Sequence, residues 1–172
     1  MNRPNFTELF ASVALVLALS APVPAAARDD FETECDGAQE VPAVFSDAEC
    51  EFEAGVNGGV IEFNLSYKDL RGDVQQAHIH FAQEGVNGGI TVFLCTNLGN
   101  TPPGAQDRAC PPAPATVTGT IVPSDVQALP DQGLPAGDLE ALIDAIGDDL
   151  TYVNVHSTEF PPGETRGQVE ED

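Results

Sequence analysis

The chain holds three histidines, His78, His80 and His156, and their spacing is the strongest chemical signal in it. His78 and His80 lie two apart in a run where Ala77, Ile79 and Phe81 alternate with Gln76, His78 and His80. In a β-strand, alternate side chains share a face, so both imidazoles point the same way. Val153 and Val155 alternate with Tyr152, Asn154 and His156 in the same manner, and Val153 and Val155 are the core-facing set. If the two strands are neighbours, three imidazoles converge on one outer face, away from the core. Such a set suits copper or zinc, which neutral imidazole nitrogens ligate well. The competing reading is structural: ring nitrogens bond loop carbonyls and fix the ends of adjacent strands. Both readings remain open on sequence alone.

Other chemistries find less support. The sequence has no Gly-x-Ser-x-Gly nucleophile elbow, and no pair of carboxylates stands out among 28 acidic residues. Nor is there a regular Asp-x-Asp-x-Asp calcium loop. No catalytic and no cofactor-binding residues are assigned. Against 6 Lys and Arg, the acidic residues give a net charge of −22. That balance excludes nucleic acid as a partner, because phosphate binding needs basic side chains.

The elements that must position the histidines are short strands broken by Gly, Pro and Asn. Ile61, Phe63, Leu65 and Tyr67 alternate with polar residues, as do Ile90, Val92 and Leu94. Further strands are expected around Val117–Ile121 and Arg166–Val169. Gly55-Val56-Asn57-Gly58-Gly59 recurs as Gly85-Val86-Asn87-Gly88-Gly89, and Asn-Gly predicts a tight hairpin turn at each copy. Leu139, Leu142, Ile143 and Ile146 mark one amphipathic helix, with Asp138 and Glu140 in its first turn and Gly147 at its end. The expected fold class is all-β: a Greek-key β-sandwich or barrel of short antiparallel strands, with one short helix in a late connection.

The first residues read as a signal peptide. Arg3 precedes the uncharged run Leu9–Ala21, and Pro22, Pro24 and Ala25-Ala26-Ala27 follow. The run is shorter than the roughly 20 residues a membrane span requires. Cleavage is expected after Ala27, giving residues 1–27 as signal peptide and 28–172 as one mature domain, secreted or periplasmic, with no membrane span. Cys35, Cys50, Cys95 and Cys110 then read as two disulfides, and the spacing favours Cys35–Cys50 and Cys95–Cys110.

Four pieces occur in order: Gly37-Ala38-Gln39-Glu40-Val41-Pro42; Ala77-His78-Ile79-His80 followed by Gly85 and Gly88; Tyr152-Val153-Asn154-Val155-His156-Ser157; and Pro162-Gly163-Glu164-Thr165-Arg166-Gly167-Gln168. Together they resemble the chordin-type (CHRD) domain over about Phe31 to Val169. The resemblance implies an extracellular β-domain and carries no catalytic residues. Ser157 and Thr165 stand where the family usually has Thr and Ile. The expected function is a secreted, non-enzymatic binding or structural module. Its partner would be an extracellular protein or matrix component, or a metal on the three histidines. The alternative is a copper- or zinc-dependent redox enzyme, since copper–zinc superoxide dismutase also sets His-x-His on a Greek-key barrel. Glu164 and Arg166 are expected to pair or to close a loop, and Glu40 to support a histidine or a turn.

Overall fold

The computed structural model describes residues 30–171. The expected signal segment, residues 1–27, lies outside them. The chain runs β1 (Asp30–Asp36), β2 (Glu49–Asn57), β3 (Val60–Lys68), β4 (Val74–Phe81), β5 (Gly89–Thr96), β6 (Ala115–Ile121), α1 (Leu139–Gly147), β7 (Thr151–Ser157), β8 (Thr165–Gln168) and β9 (Glu170–Glu171).

Strands β1 to β3 form a meander in which period two decides everything. Phe31, Thr33 and Cys35 point in, while Asp30, Glu32, Glu34 and Asp36 point out. Cys35 lies directly opposite Cys50, and the two form a disulfide across the strand pair. The β2–β3 hairpin closes over Gly58 and Gly59, both at positive φ (61° and 83°). Glycine is needed there because a two-residue turn of the hand that matches strand twist places both central residues at φ > 0. The central pair is therefore Gly58-Gly59, one residue later than the expected Asn57-Gly58, and Asn57 pairs with Val60 as the last strand residue.

The second copy of the repeat departs further. It lies in a seven-residue connection, Ala82–Gly88, between β4 and β5, and is not a tight hairpin turn. Its side chains and carbonyls reach across to other strands, which a two-residue turn could not do.

All pairings are antiparallel, in the order β5-β4-β7-β8-β1-β2-β3-β6, with β9 on β1. The non-sequential neighbours β3–β6 and β4–β7 make it a Greek key. The sheet curls until its ends, β5 and β6, meet across a seam. Residues 105–110 fill that seam. The Thr96 amide donates to the Arg108 carbonyl at 2.8 Å, and Arg108 donates to the carbonyls of Phe93 on β5 and Thr120 on β6. The Cys95–Cys110 disulfide fastens the same segment, so both disulfides pair as the spacing indicates. Two disulfides fit an oxidising compartment. No helix among the described residues is long and apolar enough to cross a membrane.

The barrel interior is packed by Phe52, Ile61, Leu65, Ala77, Ile79, Val92, Leu94, Ile121, Val153 and Val155. Helix α1 matches its expected span. Asp138 caps it by accepting from the Ala141 amide at 3.0 Å, and Leu139, Leu142, Ala145 and Ile146 are buried. Each large aliphatic side chain so buried contributes roughly 2 kcal/mol.

Strands β4, β7 and β8 break the in–out alternation. Every residue of β7 is buried, and so are Ala77 to His80 of β4. Their outer face, which period two assigned to solvent, lies under a second layer of chain: residues 37–47, 82–88 and 158–164. Asn87 Nδ2 donates to the Val41 carbonyl at 2.8 Å, joining two of these segments.

Candidate metal centre

Antiparallel pairing of β4 with β7 places His78 opposite Asn154, His80 opposite Tyr152 and Gln76 opposite His156. The three histidines therefore share the face opposite Ala77, Ile79, Val153 and Val155. One ring nitrogen from each lies within 4.8 Å of the others. Ring centroids are 4.8 Å apart for His78 and His156, 5.5 Å for His78 and His80, and 6.2 Å for His80 and His156. The expected convergence occurs. The expected exposure does not: His78 is 0%, His80 7% and His156 5% exposed. Loop segments whose contacts with the strands no periodicity encodes have roofed the face.

Those loops also orient the rings. His156 Nδ1 lies 2.9 Å from the Pro161 carbonyl, and His80 Nδ1 lies 3.0 Å from the Gly88 carbonyl. A carbonyl only accepts, so both Nδ1 atoms carry the proton and both Nε2 atoms present a lone pair. His78 Nδ1 lies 3.0 Å from His156 Nε2 and donates to it. His78 Nε2 and His80 Nε2 are then buried lone pairs with no hydrogen-bond partner among the protein atoms, and Asn154 Oδ1 is a third such acceptor. Buried nitrogens are normally bonded, because an unmet acceptor in a dry interior costs about 1–3 kcal/mol.

Electrostatics keep the rings neutral. Burial lowers the His78 pKa to about 2, with further lowering from His156 and His80. Burial lowers His80 to about 4, against the opposing pull of its bond to Gly88. His156 is lowered chiefly by burial as well. Neutral imidazole is the form that ligates metal.

The walls of the site are aromatic and polar. Phe93 meets His78 edge-on at 4.4 Å, and Tyr152 stacks flat on His80 at 4.7 Å. The Arg166 guanidinium lies over the Tyr152 ring at 3.4 Å and donates to Val86 O at 2.9 Å and Asn87 Oδ1 at 3.2 Å. The second repeat copy is thus held as a cover over the site. Glu40 accepts from Asn154 Nδ2 at 3.4 Å, and its carboxyl is raised mainly by burial, with Asn154 and Arg166 pulling it down. Gly163, at φ 137°, packs its backbone where any Cβ would strike the Glu40 carboxylate and the Asn154 amide.

Glu164 and Arg166 form no ion pair. Glu164 instead closes a loop: its Oε1 accepts from Ser46 Oγ at 2.6 Å and from the Arg71 amide at 2.8 Å. The two residues lie two apart, and their side chains run to different loops, Glu164 to Ser46 and Arg71, Arg166 to Val86 and Asn87. Glu40 supports Asn154, not a histidine directly.

Sequence reasoning missed Phe93, Tyr152 and Asn154 as walls of the site. The signal for Tyr152 and Asn154 was present, since both share the His156 face by period two. The Gly88 and Pro161 carbonyls had no such signal, because backbone atoms on loops leave no trace in side-chain pattern.

The model of the CHRD domain family matches residues 31–169. No curated protein and no solved structure matches the chain.

Proposed function

The chain belongs to the CHRD domain family, and on that premise we propose that it is a secreted, non-enzymatic binding module that holds one copper or zinc ion on His78, His80 and His156. Residues 28–172 form the mature module after cleavage following Ala27. Its further partner is an extracellular protein or matrix component. One observation carries the metal reading: three neutral rings converge in the interior, the His78 and His80 Nε2 lone pairs have no partner among the protein atoms, and the His156 Nε2 lone pair is met only by the His78 ring. The Pro161 and Gly88 carbonyls hold the outer nitrogens of two rings, the support that ligating histidines usually have. Bound there, the ion would tie β4 to β7 and take up lone pairs that are otherwise a cost.

Metal analysis of the disulfide-bonded protein, loaded and then dialysed, tests this reading. About one ion per chain is expected, lost in His80→Gln and His156→Gln while the circular dichroism spectrum persists. Metal content no higher in the parent than in the two variants would overturn it.

The redox-enzyme alternative uses the same histidines on the same Greek-key architecture, which is an analogy of fold and motif. Burial of all three rings at 7% exposure or less counts against substrate reaching them. Dismutation of superoxide by the loaded protein above that of its His80→Gln variant would favour the enzyme.

A further inference from the structure

Three imidazoles leave a tetrahedral ion one bond short, and the register of β4 and β7 sets a fourth donor beside them. Asn154 lies directly opposite His78 and two residues from His156 on β7, so all three share one face. His80, two residues along β4 from His78, is its diagonal neighbour. Directly opposed residues place their Cβ atoms about 5 Å apart and diagonal ones about 7–8 Å, so the Asn154 side chain reaches all three rings. Burial lowers the His80 pKa, and the Asn154 side chain is near enough to work against that lowering.

The amide has a defined orientation. Its Nδ2 faces the Glu40 carboxylate at 3.4 Å, and a carboxylate only accepts, so the nitrogen belongs on that side. Gly163 packs against both groups where any Cβ would strike them. Oδ1 is left on the other side of the amide. It is a buried acceptor without a donor, in a residue 2% exposed, and so are His78 Nε2 and His80 Nε2. Lone pairs gathered on one buried face repel one another, and a cation between them turns that repulsion into attraction.

The other polar groups of this face are committed elsewhere or stand further off. Glu164 holds Ser46 Oγ and the Arg71 amide through Oε1. Its Oε2 is unmet, yet no carboxylate oxygen among the described residues joins the histidine group. Gln168, with an unmet Oε1, lies on β8, one strand further from β4, opposite Tyr152. Its Nε2 donates to the Ala82 and Asp149 carbonyls. Gln76, opposite His156, accepts from Asn100.

We infer that Asn154 Oδ1 is the fourth ligand of the ion held by His78, His80 and His156, making a closed tetrahedral centre with no bound water. The inference rests on the metal reading above and goes further in naming the donor that closes the site. Closed four-coordinate sites are structural, whereas catalytic ones keep a position for water.

Co(II) is the probe, because it replaces Zn(II) in tetrahedral sites and reports its ligands in its visible spectrum. The metal-free, disulfide-bonded chain is loaded with one equivalent and titrated with azide, a small anion that displaces bound water. The wild-type spectrum should not respond. Asn154→Leu, similar in volume but without the oxygen, should bind Co(II) at least about tenfold more weakly in competition with a chelator. Its spectrum should respond to azide, because water takes the fourth position. Asn154→Asp keeps an oxygen there and should restore indifference to azide. A wild-type spectrum that azide alters, or an Asn154→Leu protein that binds as tightly as wild type, overturns the inference and leaves the histidine centre standing. If Asn154→Leu does not fold, the Asn154 side-chain amide resonances of the wild-type chain decide. Through-bond contact with Co(II) moves them far outside the ordinary range when Oδ1 is bound, and ordinary shifts overturn the inference. Absence of Co(II) from the histidines overturns the tetrahedral centre, and absence of copper and zinc as well overturns the metal reading with it.

Discussion

Replacing His80 with glutamine should flatten the acid sensitivity of the metal-free protein, and the size of the effect follows from burial. The folded His80 titrates at about 4, against 6.5 for the ordinary side chain. As pH falls through 6.5, the unfolded chain takes up a proton that the folded chain refuses until about 4. Stability from the neutral ring is therefore complete above 6.5 and is lost as pH falls from 6.5 to 4. At 1.36 kcal/mol per pH unit, the loss is roughly 3 kcal/mol, a few hundredfold in the folding equilibrium. Glutamine cannot take that proton, yet its amide can still donate to the Gly88 carbonyl. The assay is urea unfolding followed by circular dichroism at pH 7, 6, 5 and 4, with a chelator present. The stability advantage of wild type over His80→Gln should shrink by roughly 3 kcal/mol across that range. The many surface carboxylates also titrate there, and comparing the two proteins cancels them because both carry the same set. Parallel stability curves would refute the reasoning, since they would mean that His80 is not held neutral in a dry site.

Removing Arg166 as Arg166→Met should cost about 2–4 kcal/mol, because it leaves Val86 O and Asn87 Oδ1 without their donor and takes away a charge that holds down the Glu40 carboxyl; a loss below about 1 kcal/mol would show that the guanidinium does not hold the cover. On the outer face of the meander, Glu34 lies opposite Glu51, and Glu32 lies opposite Glu53. Glu51→Lys should stabilise the fold by about 0.5–1 kcal/mol at low salt. The gain should vanish near 1 M salt, where the screening length is about 3 Å, and the wild-type melting temperature should rise over the same salt range. Replacing Cys95 and Cys110 together by Ala removes a closure with a sequence separation of 15, which should cost about 3 kcal/mol. Thermal melts of the oxidised parent and the variant measure that cost, and equal melting temperatures would contradict it.

The strands and the helix were legible because each buries one side. Period two in Ile61–Lys68 placed Ile61, Phe63, Leu65 and Tyr67 inside, and the 3.6-residue period marked α1 to its boundaries. The grouping of the histidines was legible for the same reason once β4 and β7 were taken as neighbours. What failed was long-range. Period two states which residues share a face but not what covers it, so a buried outer face was taken as exposed. The second Gly-Val-Asn-Gly-Gly copy has the same residues as the first yet a different shape. Its Asn87 and Val86 are claimed by Val41 and Arg166, partners distant in the chain. Glu164 and Arg166 are near in sequence, and their separation reflects partners on two other loops.

X-ray absorption at the metal edge of the copper-loaded protein tests the central claim most directly. Three nitrogen neighbours at about 2.0 Å are expected, with the outer-shell scattering of imidazole rings, and loss of that signal in His156→Gln. A shell of oxygen neighbours without imidazole scattering would place the ion on surface carboxylates and contradict the assignment of His78, His80 and His156 as a metal centre.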